Sequence, residues 1–261
     1  MKTEFIALGA LRIAAVVSGR GPWVVLAHAL GADHRMWVPQ IEALASHFTV
    51  LAYDMRGHGR SSVPPGPYSI AQLAGDAHRM LQQLGVERAH WVGLSLGGMV
   101  GQALALQHPE SVDRLVIANS YARTAPPARQ MWAERAATAR AKGMEALVDG
   151  TLARWFTPAF ADRAPEAIDR IRAIIAATHP EGYAACCEAI MALDHLDGLR
   201  TLTHRALIVA GAQDQAAPPA LSQEIVHAWP GAELLVIEDA AHLSNLEQPQ
   251  AFNDAVRRFL A

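Results

Sequence analysis

Cysteine is almost absent from this chain of 261 residues: there are two, Cys186 and Cys187, side by side. A bridge between neighbours would close almost no loop, and two thiols are too few for a cysteine metal site, so the chain reads as one from a reducing compartment. Charge is also scarce, at 18% of residues against 51% hydrophobic. That balance supplies a core and excludes a mainly disordered chain. Lys and Arg number 22 against 25 Asp and Glu, a net charge of −3 with no basic cluster, so nucleic acid is not an expected partner. The first residues, Met1-Lys2-Thr3-Glu4-Phe5, carry an acid where a secretory signal would be basic, and Gly9, Arg12 and Ser18 interrupt the apolar runs that follow. A cytoplasmic address is the expectation. The longest uncharged stretch, Ala89 to Pro109, could cross a bilayer on length alone, but it holds His90, Ser95, Gln102, Gln107, His108 and four glycines. A buried strand, turn and helix fit it better, and no membrane partner is expected.

At roughly 150 residues per domain the length suits one large domain or one with a substantial insertion. Apolar runs rich in β-branched residues alternate with helical periodicity, the pattern of a parallel sheet covered on both faces. The first two runs, residues 4–8 and 11–18, read as an antiparallel hairpin at one edge. Six more follow at 23–27, 48–53, 90–94, 115–118, 206–210 and 234–237, so the expected fold is α/β with an eight-stranded, mostly parallel sheet. Crossover helices are expected at 37–46, 70–84, 97–108, 220–229 and 251–260. Between the strands ending at Ala118 and starting at Ala206 no strand-like run occurs. Helical stretches at 128–142, 144–155, 165–178 and 181–192, with Pro126-Pro127 and Pro158 as breakers, mark a helical insertion. The predicted organisation is a core of residues 1–121 and 201–261 with a helical cap at 122–200.

The strand at 90–94 runs into Gly93-Leu94-Ser95-Leu96-Gly97-Gly98 and then a helix. This satisfies G-x-S-x-G in the strand-turn-helix setting that gives the pattern meaning. Glycines two residues either side of the serine let neighbouring backbone approach, and the helix turns its positive end toward charge developing on a bound carbonyl oxygen. A serine hydroxyl needs a general base, and the base needs a carboxylate to hold its tautomer. Asp214 lies just beyond the penultimate strand and His242 just beyond the last, in the chain order such sites use. Of the 12 histidines, position singles out His242; His58, His108, His179 and His227 read as surface or capping residues. Rival acids are Glu238, Asp239, Asp194 and Asp197. The alternative acid position after the strand ending at Ala118 holds Asn119-Ser120-Tyr121, without a carboxylate.

Two backbone N–H groups are expected to hold the oxyanion, from Leu96 and from Leu30 in the turn His28-Ala29-Leu30-Gly31. The stretch Asp54-Met55-Arg56-Gly57-His58-Gly59-Arg60-Ser61 reads as a structural turn fixed by Asp54 and Arg56; it lacks the third glycine of a dinucleotide fingerprint. No cofactor is implied. No metal is implied either, because the histidines lack paired ligand spacing in sequence.

Over essentially its whole length the chain resembles an α/β-hydrolase, and within that superfamily it is similar to the 3-oxoadipate enol-lactonases of the β-ketoadipate pathway. Stretches shared with many relatives are residues 30–37, Tyr53 to Gly59, and Gly93 to Met99. More specific are Arg154-Trp155-Phe156-Thr157 and Glu181 to Ile190 in the insertion. One departure is His28-Ala29, where enol-lactonases tend to have Asn-Ser and where general esterases and C–C hydrolases of the fold usually have histidine. The resemblance implies opening of 3-oxoadipate enol-lactone to 3-oxoadipate in aromatic catabolism. A broader carboxylesterase, a C–C hydrolase using the same residues and a non-catalytic receptor on the same fold are the alternatives. A serine at the elbow, rather than an aspartate, argues against dehalogenases and epoxide hydrolases. An enol-lactonase must bind the free carboxylate of its substrate, and Arg135 and Arg154, beside Trp132 and Trp155, are the candidate substrate-binding residues.

Overall fold

The computed structural model describes residues 2–261. Eight strands form one sheet: β1 (Glu4–Leu8), β2 (Leu11–Gly19), β3 (Trp23–Ala27), β4 (Thr49–Tyr53), β5 (Ala89–Leu94), β6 (Val112–Ala118), β7 (Ala206–Gly211) and β8 (Ala232–Ile237). Their order is β1-β2-β4-β3-β5-β6-β7-β8. The β1/β2 and β2/β4 pairs are antiparallel and all other pairs are parallel. All the expected strands are present, with the hairpin at one edge. The sixth begins at Val112, not at Leu115 as expected, because Asp113 and Arg114 occupy half-buried positions that hydrophobicity does not mark. β5 and β7 are buried at every residue, as strands covered on both faces must be.

Twelve α-helices cover and extend the sheet. The first three are α1 (Val38–Leu44), α2 (Ile70–Gln83) and α3 (Leu96–Gln107). Between β6 and β7 lie α4 (Pro126–Lys142), α5 (Glu145–Trp155), α6 (Pro158–Arg163), α7 (Pro165–Ala177), α8 (Pro180–Met191) and the single turn α9 (Leu196–Leu199). The chain closes with α10 (Pro219–Ala228), the short α11 (Ser244–Glu247) and α12 (Pro249–Leu260). Pro126 and Pro158, expected as breakers, instead open α4 and α6. A first helical residue has no intrahelical use for an N–H, so the missing donor costs nothing there and the fixed φ suits the helix. The inserted helices hold together by the packing of α4 along α8. Their entry and exit are joined by an antiparallel bridge between Arg123 and Asp194. Among the described residues no helix is long and apolar enough to cross a membrane.

The core side of the sheet bears directly on the serine turn. Trp91, on β5, is 1% exposed, and its indole N–H donates to the Gly97 carbonyl at 3.0 Å. A buried tryptophan of this kind contributes about 3–5 kcal/mol relative to alanine. Here it also fixes the first turn of α3, so packing energy stiffens the site.

Candidate active site

Ser95 sits between β5 and α3 with φ 55° and ψ −114°, a conformation costing an L-residue about 1–3 kcal/mol. Surrounding contacts enforce it. Its N–H donates to the Ala118 carbonyl at 2.9 Å, and its carbonyl accepts from the Ser120 hydroxyl at 2.8 Å. A Cβ on Gly93 would stand 2.1 Å from the Gly97 oxygen, and one on Gly97 would stand 2.0 Å from the Ala27 oxygen. Both glycines are therefore required by close backbone approach.

His242 and Asp214 meet as their strand-end placement suggests. The His242 Nδ1 to Asp214 Oδ2 distance is 2.8 Å, and the residues are each 3% exposed. The other Asp214 oxygen accepts the Ala216 and Ala217 N–H groups at 2.8 and 2.9 Å. Burial alone would raise the Asp214 pKa. The His242 charge and hydrogen bond, the Ala217 N–H and the Asn119 amide outweigh it and hold the group below the usual carboxylate value. The rival acids are all exposed.

Three residues without an assigned role in the sequence support this pair. Asn119, at the end of β6 with φ 48°, donates to Asp214 Oδ2 at 3.0 Å and to the Ala241 carbonyl at 3.1 Å. Ser244 donates its hydroxyl to Asn119 Oδ1 at 2.6 Å. Glu247, 2% exposed, accepts the Ala241 N–H at 2.6 Å on one oxygen and the Thr157 N–H and hydroxyl at 3.0 and 2.6 Å on the other. The Leu243 N–H donates to the Trp155 carbonyl at 3.1 Å, so the loop on both sides of His242 is tied to the α5–α6 junction. A left-handed asparagine at a strand end is a weak signal in sequence, and nothing in the sequence marks Glu247.

A cavity of about 140 Å³ contains Ser95, His242 and Leu30 together with all four candidate substrate residues, Trp132, Arg135, Arg154 and Trp155. Leu96 is fully buried at the start of α3, where first-turn N–H groups have no intrahelical acceptor. Arg135 donates to the Tyr183 hydroxyl at 2.8 Å and to the Thr151 hydroxyl at 2.7 Å. Its guanidinium lies 5.8 Å from the centroids of both Trp132 and Tyr183. Among the described residues Arg154 reaches only the Met131 sulfur, at 3.8 Å, and its Nε is buried without a partner. Burial, then the Arg135 charge, lowers its pKa. Both cations are thus held by neutral groups, and the electrostatic demand they leave is for an anion. The Trp155 ring stands 6.0 Å from the His242 ring, and both residues line the cavity.

The 54–61 stretch is structural in a way its sequence only half shows. Arg56 pairs with Asp76 of α2 through two hydrogen bonds of 2.5 and 2.7 Å. Asp54 accepts the His34 N–H at 2.8 Å, the His34 ring at 2.6 Å and the Arg60 N–H at 2.9 Å. His58, expected at the surface, is instead 1% exposed, because the turn folds inward against the His28 turn. His179 caps α8 as expected. The histidines gather in space more than their spacing suggests: His78, His108 and Glu110 form one group and Asp33, His34 and Asp54 another. In the first, the rings stack face to face at 3.7 Å, so their in-plane lone pairs run parallel and do not converge. In the second, Asp33 is held by Arg35 and Asp54 by His34.

A model of the alpha/beta hydrolase fold family matches residues 22–249. The 3-oxoadipate enol-lactonase 2 of Acinetobacter baylyi is 38% identical over 239 residues, which are 90% of this chain and 87% of that protein. A putative carbamate hydrolase RutD of Caulobacter segnis is 32% identical over 241 residues, 91% of this chain and 90% of its own. The crystal structure of the enol-lactonase from Burkholderia xenovorans superposes with a TM-score of 0.95 at 41% identity, covering 98% of this chain and 99% of that one. Likeness that runs nearly end to end on both partners reaches beyond a shared sheet: the chain belongs to the alpha/beta-hydrolase family, beside the 3-oxoadipate enol-lactonases, and is an enzyme that hydrolyses ester or lactone bonds.

Proposed function

We propose that this enzyme opens the ring of 3-oxoadipate enol-lactone to give 3-oxoadipate, a step of aromatic catabolism, with residues 122–200 acting as the cap over the site. Ser95 attacks the lactone carbonyl while His242, oriented by Asp214, takes the hydroxyl proton. The Leu30 and Leu96 N–H groups hold the oxyanion. Collapse breaks the ring C–O bond and expels an enolate, which His242 protonates. Water, deprotonated by His242, then attacks the acyl-enzyme and releases Ser95. The freed enol tautomerises to the ketone, which draws the reaction forward.

The observation that carries the substrate class is the pair of guanidiniums, Arg135 and Arg154, held by neutral groups in the cavity with Ser95 and His242. A neutral ester makes no use of two such charges, whereas a lactone bearing a free carboxylate does. The names of the enol-lactonase relatives point the same way. The carbamate hydrolase relatives support a second reading, a small carbamate as substrate.

Steady-state kinetics with the enol-lactone, a neutral aryl ester and a carbamate separate these readings. Ala at Arg135 or Arg154 should cost about 1.5–3 kcal/mol, roughly 10- to 150-fold in kcat/KM, on the lactone acid and little on the neutral ester. An unchanged acid-to-neutral ratio in both variants, or a wild-type preference for the ester or carbamate, would count against the lactonase reading.

A further inference from the structure

The adjacent parallel strands β3 and β4 end side by side, with Ala27 opposite Tyr53, so the turns that follow them touch. Each turn sends one histidine into the other. His28, in the first, accepts the Met55 N–H on Nε2 at 2.9 Å and donates Nδ1–H to the Ala29 carbonyl at 2.8 Å. His58, in the second, accepts the Gly31 N–H on Nε2 at 3.0 Å and donates Nδ1–H to the Arg56 carbonyl at 3.2 Å. The ring centroids are 5.1 Å apart, and the residues are 0% and 1% exposed. A ring that donates from Nδ1 and accepts at Nε2 is neutral and in a single tautomer. Burial favours that state, lowering both pKa values, that of His58 to about 3. The nearby acid, Asp54, is engaged by His34 and by the Arg60 N–H, and no hydrogen bond joins it to either ring.

The second half of the observation is what this leaves in the first turn. The Ala29 N–H goes to the Met36 sulfur at 3.5 Å, the Gly31 N–H to His58, and the Ala32 N–H to the Ala29 carbonyl at 3.0 Å. The Leu30 N–H between them has no acceptor among the described residues, and Leu30 lines the cavity that holds Ser95. We infer that His28 and His58 form a reciprocal lock between the two turns, positioning the Leu30 N–H for the oxyanion, so that both are positioning residues acting on turnover and not on substrate binding. The inference rests on the reading of Ser95 and Leu30 as parts of one acyl-transfer site. It also gives the His28-Ala29 departure a physical role: the His28 side chain faces the second turn and leaves the choice of substrate to the residues of the cavity.

The test compares wild type, His58→Ala and His58→Gln in kcat, in KM, in inhibition by an alkyl boronic acid, and in inhibition by adipate. The boronic acid is captured by the serine and fills the oxyanion site; adipate occupies the pocket without a tetrahedral centre. Removing an oxyanion donor outright costs about 100- to 1,000-fold; a displaced donor should cost about 10- to 100-fold in kcat, with boronate affinity falling in parallel and KM and adipate affinity within about twofold. His58→Gln, whose side-chain carbonyl can accept the Gly31 N–H, should recover most of the loss. Unchanged kcat in a folded His58→Ala protein overturns the lock, as does an equal loss of adipate and boronate affinity. Should His58→Ala fail to fold, nitrogen-15 spectra of the wild-type ring decide. An Nε2 that stays bare through pH values around the ordinary histidine pKa of about 6.5 supports the lock, and protonation there overturns it. A wild-type enzyme that the boronic acid does not inhibit overturns the Ser95 reading and the catalytic role of the lock with it.

Discussion

Asp214 satisfies four donors with two oxygens, and two of them, His242 and Asn119, share Oδ2. An asparagine in its place presents an N–H where the His242 ring needs an acceptor, and so favours the wrong tautomer. Asp214→Asn should therefore lower kcat by about 10,000-fold, the loss that the corresponding substitution causes in a serine protease of the trypsin type. Asn at Asp194 or Asp197, which are exposed, should leave turnover near wild type; loss there with retention at Asp214 would reassign the acid. Asp214 and His242 are readable in the sequence because each follows an apolar strand run by a few residues, β7 buried throughout and β8 at the sheet edge. Asn119 and Glu247 are not, because their partners lie far along the chain: Asn119 meets Asp214 across 95 positions, and Glu247 meets Thr157 across 90. His58 is misread for a related reason. A histidine between two glycines in a polar turn looks solvated until the neighbouring turn closes over it.

At the scale of elements, local physics places the strands and the longer helices to within a few residues and misses the shortest helices. Runs such as Trp23–Ala27 are recovered without error, since an unbroken apolar run between Gly21-Pro22 and His28 marks both ends. Proline is the ambiguous sign: in sequence it can break a helix or open one, and Pro126 and Pro158, read as breakers, begin helices as Pro165 does. The short α6 and α11 are too small for a periodic signal, yet they meet at Glu247, which joins the inserted helices to the His242 loop. Glu247→Ala would strand the Ala241 and Thr157 N–H groups in a buried site at about 1–3 kcal/mol each. Thermal unfolding should then fall by about 2–4 °C per kcal/mol. A melting temperature equal to wild type would show that the junction is not held by this carboxylate.

At the scale of the whole molecule, histidine burial sets an acid limit on stability. Burial lowers the pKa of His28, His58 (to about 3), His90 and His195 (to about 4) below the unfolded value. The unfolded chain therefore binds more protons than the native one below about pH 6.5, and stability falls as pH drops through that window toward the folded values. Each such group steepens the loss by about 1.4 kcal/mol per pH unit. His34 acts in a different window: Asp54 outweighs the effect of burial and raises its pKa, so its stabilisation is full below about pH 6.5 and is lost as pH rises above that. Urea unfolding at a series of pH values should show the decline, and His58→Gln should flatten it by one proton; equal slopes would mean that His58 is not held neutral. Among the described residues Ser95 is the one serine with positive φ, and it lines the cavity that also holds His242. Turnover of 3-oxoadipate enol-lactone by folded Ser95→Ala protein tests the assignment of Ser95 as nucleophile most directly. A fall in kcat of about a million-fold is expected if Ser95, His242 and Asp214 act as a unit, and near-normal turnover would contradict it.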